Sequence, residues 1–195
     1  TIFGPITGSI QINKINGIKS ILRKFLFPIF YKLSLFFLNL RCKKIIFSIN
    51  ILKKFLNRRI LKKSVLNFVL LDFRIFKNNS KKKYDIIIYF RKHENKFFYH
   101  HTKLIKNLIA KDKKVVVIGD NLKINGVCNY GKVRRIFLTN LIKKSKYSLS
   151  GDDNLLSLFN LECLRQGVKV IHNKKLSFQI PSVIKKNFIP YNFDK

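Results

Sequence analysis

A stretch near the C-terminus constrains the fold more than any other part of the chain. Residues 146–173 read KYSLSGDDNLLSLFNLECLRQGVKVIHN: a short apolar strand, an acidic Ser/Gly turn, an amphipathic segment of about three turns and a second apolar strand. Gly167 stands where the helix would end. This order predicts a βαβ unit, and such units bind ligands beyond the carboxyl ends of their strands. The acidic side chains of the turn are therefore expected at the mouth of a site.

The same alternation of strand and helix precedes this stretch. Residues 85–90 (DIIIYF) form a continuous apolar run, as expected for a strand with both faces covered. An apolar stripe predicts a helix at 102–110, and VVVIG predicts the next strand at 115–119. Residues 133–138 predict a short strand or the entry to one, and 139–145 a short helix. The pattern predicts a doubly wound, parallel-sheet (Rossmann-like) α/β domain with right-handed crossovers.

A turn-rich loop is predicted at the start of the chain. Residues 1–9 contain Gly4 and Gly8 around a small Thr7, a composition that lets the backbone approach a ligand closely. An ordinary connection between a strand and a helix is the alternative explanation.

Residues 15–40 predict two helices separated by a proline. Apolar residues recur at helical spacing on either side of Pro28, which predicts an interruption there. The most apolar run, 25–40, also contains Lys32 and is shorter than the ~20 residues that a membrane-spanning helix needs. It therefore predicts a core or interfacial helix rather than a membrane anchor.

A polar linker divides the chain. Residues 44–50 predict a short buried strand, 51–63 a basic helix and 64–73 a further β-prone run. The segment 77–83 (KNNSKKK) has no apolar residue and dense like charge, which is typical of a linker. We therefore place a boundary between two structural units near it, from about residue 60 onwards.

The charge balance points to an anionic partner or to genome composition. The chain has 41 Lys and Arg against 9 Asp and Glu, a formal charge of +32, which favours contact with nucleic acid or an anionic membrane. It is also rich in Lys, Asn, Ile and Phe, whose codons are A/T-rich, so codon usage is an alternative source of the basicity. A surface this basic attracts phosphates whatever its origin.

The cysteine count does not indicate a disulfide framework. The three cysteines are odd in number and have no paired spacing, so neither disulfides nor a cysteine-based zinc site is predicted, and a reducing compartment is the simplest inference. The chain has no Met and opens without a signal-peptide pattern, so we expect a fragment lacking its true N-terminus. The histidines suggest no nucleophile or metal site and are interpreted as surface or structural residues: His93, His100, His101 and His172.

Two loops after predicted strands carry candidate chemistry. Arg91 begins a basic loop that includes Lys96, and cations just beyond a strand can hold a phosphate. A solvated basic loop is the alternative. Gly119 and Asp120 let the backbone turn tightly beside a ligand after VVVIG, although the pair is equally typical of an ordinary turn.

The acidic residues of the 146–173 stretch are the third candidate. Asp152 and Asp153 stand where a helix N-cap is wanted, so capping alone is an alternative explanation. Glu162 lies two turns or more into a largely apolar helix. Because an unpaired buried carboxylate is unfavourable, we expect Glu162 to meet a hydroxyl or a cation.

The segment from Asp153 to Ile171 resembles the signature of GT-B glycosyltransferases of the family-4 type (glycosyl transferases group 1). In that family an acid-x7-acid pattern ends in Glu-Ala-x-x-x-Gly-x-Pro-Val-Ile, and Glu162 is followed at the same distance by GVKVI. Eight residues before Glu162 stands Asn154, and the nearest acid is Asp153. The chain departs from the signature at two further positions, Cys163 and Lys169.

Other segments extend the resemblance. Residues 88–96 (IYFRKHENK) look like the first strand of the family's donor domain with its Arg and Lys, VVVIGD looks like the second strand, and GPITGS looks like the glycine loop of the acceptor domain. The resemblance implies three segments. Residues 1–62 would be the C-terminal part of a truncated acceptor-side domain, 63–83 a strand and linker, and 84–195 a Rossmann-like nucleotide-sugar-binding domain.

The resemblance implies transfer of a sugar from a nucleotide-sugar donor to a glycan or lipid-linked acceptor, with retention of configuration. Arg91 and Lys96 would neutralise the leaving diphosphate, Glu162 would bind the ribose hydroxyls, and Asp153 or Asn154 would contact the donor sugar. No cofactor is implied beyond the nucleotide sugar, which is the donor substrate, and no metal is needed if the protein supplies the positive charges. The remaining implied donor-binding residues are Gly4, Thr7, Gly8, Gly119, Asp120, Val133, Leu155 and Leu156.

Two other classes of function stay open. A basic nucleic-acid-binding protein would explain the charge and the interleaved aromatics, although no RNA or DNA recognition motif is present. A non-catalytic GT-B-like domain that binds sugars or partners is the second. For the enzyme we expect a cytoplasmic protein with no nucleic-acid partner. Peripheral contact of the basic, aromatic helices at 20–63 with the anionic inner face of the cytoplasmic membrane is a further hypothesis.

Overall fold

The chain divides into two compact units, each described by itself. The computed structural model describes residues 2–6, 18–47, 56–66, 74–92, 99–151 and 155–192. The first unit is Thr1–Asp72 and the second is Phe73–Lys195.

The first unit is a small parallel α/β layer. Its elements are β1 (Ile2–Ile6), α1 (Ile18–Arg41), β2 (Lys44–Phe47), α2 (Arg58–Lys63) and β3 (Ser64–Leu66). The three strands pair in the order β1-β2-β3, and both pairings are parallel. The core between sheet and helices contains Cys42, Ile45, Phe47 and Ile60, with Leu35, Leu38 and Leu56 packed against it.

The opening residues form an edge strand, which corrects the loop predicted at 1–9. Phe3 lies opposite Ile45 and Ile6 opposite Phe47, so β1 has one residue more than its partner over this span. The extra residue falls at Gly4-Pro5. A proline is tolerated in an edge strand or at a bulge, because its missing N–H is not needed by a ladder. Thr7 and Gly8 lie outside the described residues.

The helix predicted to break at Pro28 is continuous. α1 runs for 24 residues from Ile18 to Arg41, which shows that one absent backbone donor does not end a helix of this length. None of the described helices is long and apolar enough to cross a bilayer.

The second predicted helix of this unit is much shorter than the expected 51–63. α2 begins at Arg58, because the side chain of Asn57 accepts a hydrogen bond from the Ile60 N–H at 2.9 Å and caps the helix there. Residues 51–55 lie outside the described part of the chain. Of the β-prone run 64–73, the first three residues form β3.

The second unit is a doubly wound parallel sheet. Its elements are β4 (Tyr84–Phe90), α3 (Tyr99–Ala110), β5 (Val115–Gly119), β6 (Cys128–Asn129), α4 (Arg135–Lys143), β7 (Ser145–Leu149), α5 (Leu158–Arg165), β8 (Lys169–Asn173), two 3-10 helices (Lys174–Gln179 and Ser182–Asn187) and β9 (Phe188–Tyr191). The strand order is β6-β5-β4-β7-β8-β9, and every neighbouring pair is parallel. The predicted α/β, Rossmann-like fold class is confirmed.

Residues 128–145 fold differently from the prediction. The third strand is β6, two exposed residues long, and the predicted strand at 133–138 instead enters α4. Within α4, Leu141 and Ile142 are buried, whereas Ile136 is 81% exposed. The apolar residues at 136–138 therefore belong to the start of an amphipathic helix and not to a strand.

Apolar strands form the core of the second unit. β4 and β5 contribute Ile86, Ile88, Val115 and Val117, and Ile105 of α3 packs against them. Continuous burial on both faces follows from helices covering a parallel sheet.

Asp85 anchors the amino edge of this sheet. Its Oδ1 lies 2.8 Å from the Lys146 ammonium, and its Oδ2 accepts the backbone N–H of Lys114 at 2.9 Å. The hydrogen bond from Lys146, followed by that from Lys114, lowers the pKa of Asp85. This acid therefore joins β4 to the starts of β5 and β7 and has a structural role.

Candidate functional site

The carboxyl ends of β4 and β7 form the switch point of the sheet. The chain runs outward from β4 to β5 and β6, then returns to place β7 on the other side of β4. Ile88 of β4 lies opposite Leu149 of β7, so both strands end at the same edge. In open α/β sheets this crevice is where ligands bind.

A basic loop and a serine-glycine loop leave the sheet side by side at the switch point. Arg91 and Lys92 follow β4 directly, and both side chains are exposed. Ser150 and Gly151 follow β7, and the Ser150 N–H donates to the Ile171 carbonyl at 2.9 Å. Adjacent parallel strands therefore bring the start of the predicted basic loop next to the start of the acidic one.

The turn after β5 supports the end of β4. The Asp120 N–H donates to the Phe90 carbonyl at 2.8 Å, and the Asp120 carboxylate accepts the Lys92 N–H at 2.8 Å. Gly119 has φ +97°, and a Cβ built there would lie 2.2 Å from the Phe90 oxygen. Only glycine fits at this corner. In this structure Gly119 and Asp120 hold the backbone from which Arg91 extends.

Helix α5 points its amino end at the same crevice. Ser157 is its N-cap and accepts the Asn160 N–H at 3.2 Å. The ring of Phe159, in the first turn, lies 5.7 Å from the ring of Tyr89, the penultimate residue of β4. The partial positive charge of a helix N-terminus therefore adds to that of the nearby cations and favours an anionic ligand.

A pair of buried amides clamps the backbone where the acidic loop rejoins the described chain. The Leu155 N–H donates to the Gln179 Oε1 at 3.2 Å, and the Asn160 Nδ2 donates to the Leu155 carbonyl at 3.0 Å. Leu155, Asn160 and Gln179 are each 1% exposed or less. The sequence pattern indicated neither Gln179 nor Asn160 as part of the site. Residues 152–154, which include Asp153 and Asn154, lie outside the described chain.

Polar atoms around this clamp have spare hydrogen-bonding capacity. Within the described residues no partner is present for the Ser150 hydroxyl, the Asn160 Oδ1 or the Gln179 Nε2, and all three atoms are buried. They flank the segment that carries the predicted sugar-contacting residues. Groups of this kind suit either the acidic loop itself or polar groups of a ligand.

The expected hydroxyl or cation partner of Glu162 is not present among the described residues. Its Oε1 accepts a hydrogen bond from the Gln166 Nε2 at 3.0 Å, one turn further along α5. α5 runs from the carboxyl edge to the amino edge of the sheet, and Glu162, five residues after the N-cap Ser157, lies about 7.5 Å along the helix from it. The Glu162 side chain is half-buried.

The other predicted donor-binding residues are scattered. Val133 is half-buried and lies two residues after Gly131, whose carbonyl accepts the Gly119 N–H at 2.8 Å. Leu156 is buried at the entrance to α5. Gly4 lies in β1 of the first unit. Lys96 lies outside the described residues.

Two titratable groups close to the site are structural. Burial raises the pKa of the thiol of Cys163, a buried residue of α5, well above its usual range, so the thiol stays protonated. Burial likewise lowers the pKa of His172, whose Nε2 lies 3.0 Å from the Ser177 hydroxyl. Neither group is a nucleophile in this setting. Within the ranges that the structure describes, no cluster of His, Cys, Asp and Glu could hold a metal ion.

Comparisons with known proteins identify no family. No model of a known protein family matches the chain, and no curated protein sequence does. One solved structure that it is similar to is a dodecameric iron-containing heptosyltransferase, TibC, in complex with ADP-D-beta-D-heptose. The match has 13% identity and a TM-score of 0.37, and it covers 54% of this chain and 30% of that one. A similarity of this size establishes neither an activity nor a shared ligand.

Proposed function

We propose that this chain is a glycosyltransferase of the nucleotide-sugar-dependent type, which moves a sugar to a glycan or lipid-linked acceptor with retention of configuration. The observation that supports the proposal best is the meeting of three features at one switch point. These features are the exposed Arg91, the Ser150-Gly151 turn and the amino end of α5. A crevice with these groups suits a diphosphate, which carries the negative charge that they attract.

The physical demands of the reaction match these groups. A departing nucleoside diphosphate gains negative charge as the glycosidic bond breaks, so cations and amides already in place stabilise the transition state more than the ground state. In the proposal Arg91 and Lys96 bind the diphosphate oxygens. Asp153 or Asn154 contacts the donor sugar, at the end of a backbone held by the Gln179 and Asn160 amides.

The proposed ribose contact requires Glu162 to exchange partners. Its carboxylate accepts one N–H from Gln166 in this structure. Two ribose hydroxyls would supply two charge-assisted hydrogen bonds to the same oxygens, in place of the one from Gln166. A changed side-chain rotamer would release the carboxylate from Gln166. Glu162→Gln should therefore weaken donor binding with little loss of fold stability, and unchanged donor affinity would remove the ribose role.

Calorimetric titration of the 195-residue chain with UDP- and GDP-sugars tests the proposal. We expect one of them to bind, and we expect Arg91→Ala to weaken that binding about 10- to 100-fold, because a charge-assisted hydrogen bond to phosphate is lost. The control is Lys169→Ala, which removes an exposed cation at the opposite edge of the same sheet. Equal losses of donor affinity in the two variants would mean that binding depends on the net charge of the protein and not on the position of Arg91. Failure of both sugars to bind, with salt-dependent binding of RNA, would favour the nucleic-acid alternative.

A further inference from the structure

The outer face of α1 carries a continuous apolar stripe. Nine large side chains on this helix are 40–72% exposed, and together they leave roughly 1,000 Å² of apolar surface uncovered, more than monomeric proteins usually expose in one patch. We call them the α1 stripe: Leu22, Phe25, Leu26, Ile29, Phe30, Leu33, Phe36, Phe37 and Leu40.

The stripe is regular and lies opposite the face that packs on the sheet. At 100° per residue its members fall within about 140° of arc over five turns, a length of about 27 Å. Leu35 and Leu38, which pack against the core of the first unit, lie on the opposite side of the helix. α1 therefore has two apolar faces, and the sheet needs only one of them. No described residue buries the other.

Cations border the stripe, and acids are missing from the whole region. Lys32 and Arg41 are exposed and lie on the two sides of the stripe, about a quarter turn from its centre. Residues 1–71 contain fourteen Lys and Arg and no Asp or Glu. Long cationic side chains beside an apolar stripe can place their stems along it and their charges at its rim.

We propose that the α1 stripe docks on an anionic lipid surface, with the helix lying in the plane of the headgroups. Large apolar and aromatic side chains on one face, bordered by basic residues, are the composition that interfacial helices use. The excess of cations selects negatively charged headgroups, since each Lys or Arg near such a surface adds attraction. A nucleic acid would be attracted by the same charges but would not require nine exposed apolar side chains. This inference does not depend on the proposed glycosyltransferase activity.

Vesicle flotation of the full chain tests the inference. The vesicles contain either phosphatidylcholine alone or phosphatidylcholine with about 30 mol% phosphatidylglycerol, a strongly anionic surface. We expect the protein to float with the anionic vesicles and to partition at least tenfold less into the neutral ones. A protein that stays at the bottom with anionic vesicles would overturn the inference.

Paired substitutions separate the stripe from general hydrophobicity. Phe25→Ser with Phe30→Ser removes two rings that are 72% and 61% exposed. We expect this double variant to lose about tenfold or more in partitioning. The control is Ile136→Ser with Val183→Ser, which removes apolar side chains that are 81% and 80% exposed in the second unit. The control should float as the unchanged protein does, and equal losses in the two variants would contradict a role for the stripe.

Two further measurements keep the test decisive. Lys32→Gln with Arg41→Gln leaves the stripe intact and should lower partitioning into anionic vesicles about fivefold per charge, without changing the far-UV dichroism. Light scattering after size exclusion gives the oligomeric state of each variant. If Phe25→Ser with Phe30→Ser dissociates a dimer and leaves lipid partitioning unchanged, the stripe is a contact between copies of the chain and the inference is wrong.

Discussion

Replacing Gly119 with alanine tests the corner that supports the candidate site. Gly119 has φ +97°, and the new Cβ would lie 2.2 Å from the Phe90 carbonyl oxygen, which is backbone and cannot swing away. The same oxygen accepts the Asp120 N–H at 2.8 Å, so moving it also disturbs the turn that holds Lys92. The substitution therefore strains the chain where β4 ends and the basic loop begins.

The expected decrease in the free energy of unfolding of Gly119→Ala has three contributions. A non-glycine residue at positive φ costs about 1–2 kcal/mol. Forcing the backbone apart to admit a methyl group adds about 1–3 kcal/mol, and the weakened Asp120 hydrogen bond adds about 1 kcal/mol. Gly119→Ala should thus destabilise the second unit by about 3–6 kcal/mol, a large share of the ~5–15 kcal/mol that holds a domain together.

Gly131→Ala is the matched control. Gly131 also has positive φ, +64°, but a Cβ there meets nothing within 4 Å. Gly131→Ala should lower the free energy of unfolding only by the cost of a non-glycine residue at positive φ, about 1–2 kcal/mol. Urea unfolding followed by far-UV dichroism gives both values from the same transition. If Gly119→Ala loses no more stability than Gly131→Ala, the close approach to β4 does not exist and the proposed support of Arg91 is wrong.

Three other predictions concern stability and reactivity. The lowered pKa of Asp85 means that its ion pair contributes stability above about pH 4 and loses it as the pH falls through the lowered value. Asp85→Asn should therefore lower the free energy of unfolding by about 1 kcal/mol near pH 7, and this loss should shrink as the pH falls below about 4. Urea unfolding across this pH range measures the loss, and a loss independent of pH would contradict the role of the ion pair. Gln179→Leu should leave the buried Leu155 N–H without its acceptor, which should lower the free energy of unfolding by about 1–3 kcal/mol and speed hydrogen exchange of the Leu155 amide. An unchanged exchange rate would show that Gln179 does not hold this backbone. Iodoacetamide should modify the exposed Cys128 quickly and the buried Cys163 only after unfolding, and equal rates by mass spectrometry would refute the burial.

The fold of the second unit could be predicted where strands are buried on both faces and where a glycine marks the end of a helix. Residues 85–90 and 115–119 are apolar on both faces, and Gly167 adopts φ +71° at the end of α5, as expected for a helix stop. β6 has two exposed residues, so its position depends on tertiary pairing and leaves no periodic signal. β9 lies at the edge of the sheet and contains Pro190, a residue that argues against a strand when read alone.

The candidate site was predictable in position more than in detail. Parallel topology alone places the residues after β4 and after β7 at one edge, so Arg91 and the start of the acidic loop could be paired from the sequence. Gln179 could not be identified, because it comes from a 3-10 helix 24 residues beyond the Leu155 that it holds. The partner of Glu162 was also missed, because the amide of a Gln one turn away can donate to a carboxylate and no cation is required.

Hydrogen exchange with and without a nucleotide sugar tests the central claim most directly. The donor crevice is proposed at the carboxyl ends of β4 and β7, while the cavity of about 370 Å³ beside residues 76–80 and Gln166 lies at the amino edge. If the account is correct, UDP- or GDP-sugar at saturating concentration slows exchange in peptides covering 88–92 and 149–160. The same peptides should change less in Arg91→Ala. Protection confined to residues 76–83, or no protection at the switch point when the sugar binds, would contradict the account.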